Sequence, residues 1–138
     1  MKIKLNKIGP IAFEATTESG HTVIMDGAAE GGGGNLGSRP MEMILMGLGG
    51  CSGIDVALIL EKSRQQVSDC VIDIDAQRAD AVPAVFTDIH LHYTVSGAQL
   101  DPNKVERAVS LSMEKYCSVT RMLEPSVNIT HDFSIVEE

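Results

Sequence analysis

The stretch that decides the fold is Pro40-Met-Glu-Met-Ile-Leu-Met-Gly-Leu-Gly-Gly-Cys-Ser-Gly-Ile-Asp-Val-Ala-Leu-Ile-Leu60. Its proline stands where proline is favoured, in the first turn of a helix. Apolar or small residues follow on nearly every face of that helix, which predicts a buried central element. Glycine costs about 1 kcal/mol relative to alanine inside a helix. The four glycines at 47, 49, 50 and 53 are therefore expected to admit close approach of another backbone.

Alternating apolar residues and turn signals predict strands on both sides of this helix. The segments 2–8, 13–18 and 21–25 read as short strands before it, followed by a flexible glycine-rich loop, 26–38. Two longer strands, 67–76 and 85–95, form a predicted hairpin after it. A second helix begins at Asp101-Pro102, with Asp101 as its cap. A last strand covers 127–136, so the order is β-β-β-α-β-β-α-β, an α+β fold with mostly antiparallel pairing.

Size and charge limit the class of protein. The 138 residues predict a single domain, 1–138. A formal net charge of −8 repels phosphate backbones, which argues against nucleic acid as a partner. The charged N-terminus does not resemble a signal peptide, and Glu42, Asp55 and the glycines argue against a membrane span. A cytoplasmic location is expected. In the cytoplasm thiols stay reduced unless they take part in catalysis or redox sensing.

Two of the three cysteines lie on predicted helices. Cys51 is in the central helix, and Cys117 ends the second helix within Glu114-Lys-Tyr-Cys117-Ser-Val119. Such a pair suggests an attacking and a resolving thiol, which pass through a sulfenic acid to a disulfide. The alternative is two structural thiols, because free cysteine packs as a small hydrophobe. Cys70, at the start of a strand, is interpreted as a core or surface residue.

The two cysteine segments resemble those of the OsmC/Ohr family, the osmotically inducible and organic-hydroperoxide-resistance proteins. The apolar helix that leads from Pro40 to Cys51, and the helix end that carries Cys117, both match the family pattern, as does the order of elements. The resemblance is strongest to the OsmC-like branch. It implies antiparallel sheets around a buried central helix, an intertwined homodimer, and a peroxidase in which Cys51 attacks organic hydroperoxides and Cys117 resolves. Dithiols, notably lipoylated proteins, reduce the disulfide in the family.

The family site also uses a glutamate and an arginine, and here the sequence departs from the pattern. The glutamate usually follows the proline directly, but Met41 holds that place and Glu42 comes next. Glu42 and Cys51 are about two and a half helical turns apart, so they meet only through a helix break or a partner chain. Residues 1–38 contain no arginine, which leaves Arg39 as the nearest candidate and Arg121, after the second cysteine, as another. Asp55, four residues after Cys51, would raise the pKa of a neighbouring thiol.

The sequence leaves a second function open and gives no support for a metal site. The same fold could be a non-catalytic module whose groove binds a small apolar ligand, a reading favoured by the missing arginine and by Asp55. His90 and His92 share one face of a strand, but they lack partners at short spacing, so we expect no metal site and no cofactor. In the peroxidase reading, five apolar residues would line the substrate groove: Ile44, Leu48, Ile54, Leu58 and Met113.

Overall fold

The computed structural model describes all residues, 1–138, as two compact units, Met1–Met46 and Gly47–Glu138. The first unit contains one antiparallel sheet in the order β1-β2-β3. Its strands are β1 (Ile3–Lys7), β2 (Phe13–Thr17) and β3 (Thr22–Met25). All three agree with the predicted strands to within two residues at each end.

The loop after β3 is held by one buried carboxylate. Asp26 Oδ1 accepts a hydrogen bond from the Gly27 backbone N–H at 2.8 Å, and Oδ2 accepts from Gly34 at 2.9 Å and Leu36 at 3.2 Å. The bond from Leu36, together with those from Gly34 and Gly27, outweighs burial and lowers the pKa of Asp26. The prediction of a flexible loop with no element of its own was wrong, because these bonds organise it and it contains a 3₁₀ turn, Ala29–Gly31.

The central helix starts in the first unit and continues into the second, which holds a sheet in the order β4-β5-β6. Its elements are α1 (Pro40–Lys62), β4 (Gln66–Arg78), β5 (Phe86–Ala98), α2 (Pro102–Leu111), α3 (Ser118–Leu123) and β6 (Asn128–Glu137). The predicted β4–β5 hairpin and the α+β class are confirmed. The antiparallel expectation was wrong for β6, which pairs parallel to β5. Helices α2 and α3 provide the crossover that a parallel connection needs.

The core of the second unit lies between the inner face of β5 and one side of each long helix. The inner face of β5 contributes Ile89, Leu91, Tyr93 and Val95, all fully or almost fully buried. Helix α2 contributes Val105, Ala108 and Val109. Helix α1 buries a single line of side chains, namely Leu48, Ser52, Val56 and Leu60.

The opposite side of α1 is not buried within the single chain, so the burial of this helix on all sides stays a prediction. Gly47, Gly50, Ile54 and Leu58 form an exposed stripe at helical spacing, and Ile54 keeps 64% of its surface accessible. Only 22% of the most apolar 18-residue window of α1 is buried. By length and composition alone this helix is long and apolar enough to cross a membrane.

The glycines of α1 fall on two different sides. A Cβ on Gly49 would lie 2.8 Å from Ile74 Cδ1, and one on Gly53 would lie 3.1 Å from Ile72 Cδ1. These two glycines therefore make room for side chains of β4. From the sequence, they were expected to make room for another backbone. A Cβ on Gly47 or Gly50 would meet nothing within 4 Å, because both belong to the exposed stripe.

Helix α2 changes its winding before it reaches the second cysteine. Asp101 Oδ1 caps its start by accepting from the Asn103 backbone N–H at 2.9 Å, as predicted. After Leu111 the chain forms a π-helical turn, Ser112–Tyr116. This turn closes with a hydrogen bond of 2.7 Å from the Cys117 backbone N–H to the Ser112 carbonyl oxygen. Such turns often mark functional sites.

Candidate active site

Cys117 lies at the junction between the π turn and α3. Its backbone is extended, it stands at the N-cap of α3, and only 2% of its surface is accessible. The Thr120 backbone N–H donates to Cys117 Sγ at 3.5 Å. Burial raises the pKa of the Cys117 thiol and outweighs the hydrogen bonds from Thr120, which lower it. Cys117 is therefore protonated at neutral pH.

Cys51 lies midway along α1, half-buried, and its side chain meets that of Cys117. The neighbouring Cys51 side chain, including the charge that it can carry, raises the pKa of Cys117 further. Both residues are free thiols in this structure. The fold thus brings together two cysteines that the sequence separates by most of the second unit.

A buried chain of hydroxyl groups lies directly beside this pair. Ser52 Oγ is 2.5 Å from the Tyr93 phenol oxygen and 2.8 Å from Ser112 Oγ. Ser112 Oγ in turn donates to Asp55 Oδ2 at 3.0 Å. Burial raises the pKa of Tyr93 to about 12, although the bond to Ser52 lowers it, so the phenol is protonated at physiological pH. Sequence analysis missed Ser52, Tyr93 and Ser112; the only signal was a serine on the predicted buried face of an apolar helix.

Asp55, which the sequence suggested as an unfavourable neighbour of Cys51, is engaged by Ser112 at one oxygen. It also lines a cavity of about 540 Å³ between α1 and α2. Apolar side chains form much of the cavity wall, and two of the lining side chains are cationic. The lining includes Leu58, Ile59, Leu111, Tyr116, Lys62 and Arg107. Of the five residues expected to line a substrate groove, Leu58 lines this cavity, whereas Leu48 and Met113 are buried in the core.

Arg39 and Glu42 lie together at the start of α1, in the first unit. Glu42 Oε1 accepts from the Arg39 backbone N–H at 2.8 Å, which is the reciprocal half of a capping box. The Arg39 guanidinium donates through Nη1 to the Gly37 carbonyl oxygen at 3.1 Å. Both residues line a second cavity of about 510 Å³ with Leu36, Gly37 and Ser38. Within a single chain, Glu42 therefore caps the N-terminus of α1.

The remaining candidates belong to the sheet of the second unit. Cys70 is half-buried on the inner face of β4, and burial raises its pKa. His90 and His92 both bond to Asp132 Oδ1, at 2.9 Å and 2.6 Å, on the outer face of the sheet. The carboxylate partner that the histidines lack at short sequence spacing comes from β6. These bonds lower the pKa of Asp132, the one from His92 most.

Known proteins share this architecture. A family model described as "OsmC-like protein" matches residues 31–132. Protein YhfA of Escherichia coli strain K12 is 45% identical over 136 residues, which cover 99% of this chain and 98% of that protein. The crystal structure of a hypothetical protein from Aquifex aeolicus VF5 superposes with a TM-score of 0.88 at 32% identity, over 99% of this chain and 96% of that one.

The same fold also occurs at low sequence identity. An organic hydroperoxide resistance protein OsmC from Legionella pneumophila, also described as a predicted redox protein, has a TM-score of 0.72 at 17% identity. The superposition covers 96% of this chain and 95% of that one. From the family model and the relatives above 30% identity, the chain belongs to the OsmC-like family.

Proposed function

We propose that this protein is a thiol-dependent peroxidase that reduces organic hydroperoxides through Cys51 and Cys117 and serves in oxidative stress defence. The observation that carries the proposal is that the two thiols, one half-buried and one buried, lie close enough for Cys51 to raise the pKa of Cys117. The Legionella protein, an organic hydroperoxide resistance protein of the same fold, supports the substrate class by analogy.

The chemistry needs two steps at the pair. The Cys51 thiolate attacks an oxygen of the hydroperoxide, the O–O bond breaks, and the departing alkoxide takes a proton to become the alcohol. Cys51 is then a sulfenic acid, oxidised by two electrons. Cys117 attacks the Cys51 sulfur, the S–S bond forms, and water leaves. A dithiol, such as a protein-bound lipoyl group, restores both thiols by exchange and becomes a disulfide itself.

The attacking and resolving roles of the two cysteines follow from how accessible each side chain is. Cys51 is half-buried, so a peroxide can reach its sulfur, whereas Cys117 has 2% of its surface accessible. The raised pKa of Cys117 keeps it a thiol while Cys51 reacts first. A thiol in contact with the new sulfenic acid then condenses with it at high effective concentration.

We further propose an obligate homodimer, in which the exposed stripe of α1 packs against a partner. Apolar side chains also remain accessible in the first unit, among them Ile3, Leu5 and Val23. Covering these surfaces would bury above roughly 2,000 Å² in total, as in obligate dimers. Because α1 runs unbroken from Pro40 to Lys62, the partner chain is the remaining way to bring Glu42 or Arg39 to Cys51. The dimer would be cytoplasmic, with no membrane or nucleic-acid partner.

The alternative function is a non-catalytic module that binds a small apolar ligand. The cavity of about 540 Å³ lined by Leu58, Ile59 and Leu111 favours it, as does the capping role of Glu42. A binding module would take up an apolar ligand without any change in its thiols, so the two functions differ in what a hydroperoxide does to the protein.

The test is the mass and free-thiol count after one equivalent of cumene hydroperoxide. We expect the wild type and Cys70→Ser to lose two thiols to one intramolecular disulfide. Cys117→Ser should stop at a Cys51 sulfenic acid, which a dimedone adduct would reveal, and Cys51→Ser should not react at that site. Oxidation of the wild type no faster than that of free cysteine would contradict the peroxidase and favour the binding module.

A further inference from the structure

The buried hydroxyl chain has one charged end, the Asp55 carboxylate. The Asp55 carboxylate only accepts hydrogen bonds, so Ser112 donates to it. Ser52 Oγ bonds to both Ser112 Oγ and the Tyr93 phenol oxygen, and Met113 Sδ lies within bonding distance of Ser52 and Tyr93. No buried side-chain nitrogen or oxygen is left without a bond.

Ser112 holds both cysteine segments at once. Its carbonyl oxygen accepts from the Cys117 backbone N–H at 2.7 Å, which closes the π turn. Its hydroxyl oxygen lies 2.8 Å from Ser52, the residue next to Cys51, and donates to Asp55, one turn further along α1. One buried residue thus joins the backbone of the second cysteine to the helix that carries the first.

We infer that Ser112 is a positioning residue for the thiol pair, with Ser52 and Asp55 as its anchors on α1. The winding of α2 explains why an anchor is needed. A π turn has a wider hydrogen-bonded loop than an α turn, and the few that proteins contain are frequently found at functional sites. The bonds from Ser112 to α1 oppose a return to α-helical winding, which would rotate Cys117 away from Cys51 by about one residue position.

This role of Ser112 rests on the proposed function, because holding the two thiols together serves the peroxidase reaction. It can nevertheless be tested without peroxide. Phenylarsine oxide condenses with two adjacent thiols, forms two As–S bonds and releases water, with no change of oxidation state. Its affinity reports how well the two sulfurs are held together, as an effective concentration of the second thiol. The measurements use a Cys70→Ser background, so that Cys51 and Cys117 are the only thiols.

We expect Ser112→Ala to weaken phenylarsine oxide binding about tenfold, because the second thiol loses its fixed position. Ser110→Ala is the matched control. It lies on the same helix, and its hydroxyl makes only a 3.4 Å contact with Glu106, so its affinity should stay at the starting value. Asp55→Asn keeps an oxygen acceptor for Ser112 and should also bind normally, whereas Asp55→Ala should weaken binding.

Asp55→Ala changes no residue of α2 or of the π turn, so it provides the answer if Ser112→Ala does not fold. A residue with a purely structural role would lower the melting temperature and leave the affinity of the folded protein unchanged. Unchanged affinity in both Ser112→Ala and Asp55→Ala would overturn the inference, as would a starting protein that binds the arsenical no better than Cys51→Ser. Normal arsenical results combined with no peroxide reaction would instead reject the peroxidase and leave the positioning role standing.

Discussion

Ser52 Oγ lies 2.8 Å from Ser112 Oγ, and neither side chain has accessible surface. This contact connects the middle of α1 to the point where α2 changes its winding. It places a polar bond at the centre of an apolar core, where an unpaired hydroxyl would be costly. The pairing of α1 with α2 is therefore specified by bond geometry as well as by apolar packing.

Tyr93→Phe should destabilise the fold by about 1–2 kcal/mol, because it removes the phenol oxygen that is hydrogen-bonded to Ser52 in a fully buried place. Urea unfolding measures this difference. Tyr116→Phe is the matched control, since half of Tyr116 is accessible and its change should stay within about 0.5 kcal/mol. Equal stability of the two variants would mean that the phenol bond contributes nothing.

Gly50→Ala distinguishes a free helix face from one covered by a partner. If the exposed stripe faced water, alanine would stabilise α1 by about 1 kcal/mol, because a Cβ there meets nothing within 4 Å in the chain. We expect the opposite, a weaker dimer in sedimentation velocity, because the glycine admits the partner helix. A stabilised variant with unchanged mass would contradict the proposed interface.

The reaction of Cys117 with iodoacetamide should have a midpoint above pH 9.0. Thiolate is the nucleophile, and burial holds the pKa of this thiol above its ordinary value of 9.0. The midpoint should come down in Cys51→Ser, because the Cys51 thiol also raises it, yet it should stay above the ordinary value because burial is the largest cause. A midpoint near neutrality would show that Cys117 is an activated thiol and reverse the proposed roles.

The Asp26 carboxylate should stabilise the first unit only above acidic pH. Its folded pKa is lowered from 3.8, so its contribution is fully present above that value and is lost as the pH falls through the lower folded value. The stability difference between the wild type and Asp26→Ala should therefore be large at pH 6 and shrink below pH 4. Asp80→Ala, at an exposed turn, should show no such pH-dependent gap. A gap independent of pH would mean that the carboxylate charge is not what holds the loop.

Local signals in the sequence were sufficient for the elements and for the cysteine pair. Pro40 and Asp101-Pro102 predicted the starts of α1 and α2, and alternation of apolar residues predicted β4 and β5. These signals depend only on residues within one helical turn or one strand, so they can be recognised in the sequence without knowledge of the fold. The OsmC-like resemblance likewise rested on segments read directly around Cys51 and Cys117.

Long-range relationships were decided only in the folded chain. An alternating strand has the same pattern whichever way it pairs, so the parallel direction of β6 came from the path of α2 and α3 between the strands. The carboxylate shared by His90 and His92 came from that same strand. The apolar pattern of α1 predicted burial on all sides, but the chain leaves the stripe of Gly47, Gly50, Ile54 and Leu58 uncovered.

The sequence by itself determined which residues form helices and strands, and which thiols are candidates for chemistry. Tertiary structure alone decided that Cys117 is a buried thiol with a raised pKa, that it meets Cys51, and that Ser112 joins their two segments. The physical reason is that propensity and periodicity depend on neighbours along the chain. Burial, proton affinity and hydrogen-bond partners depend on groups that only folding brings within a few ångströms.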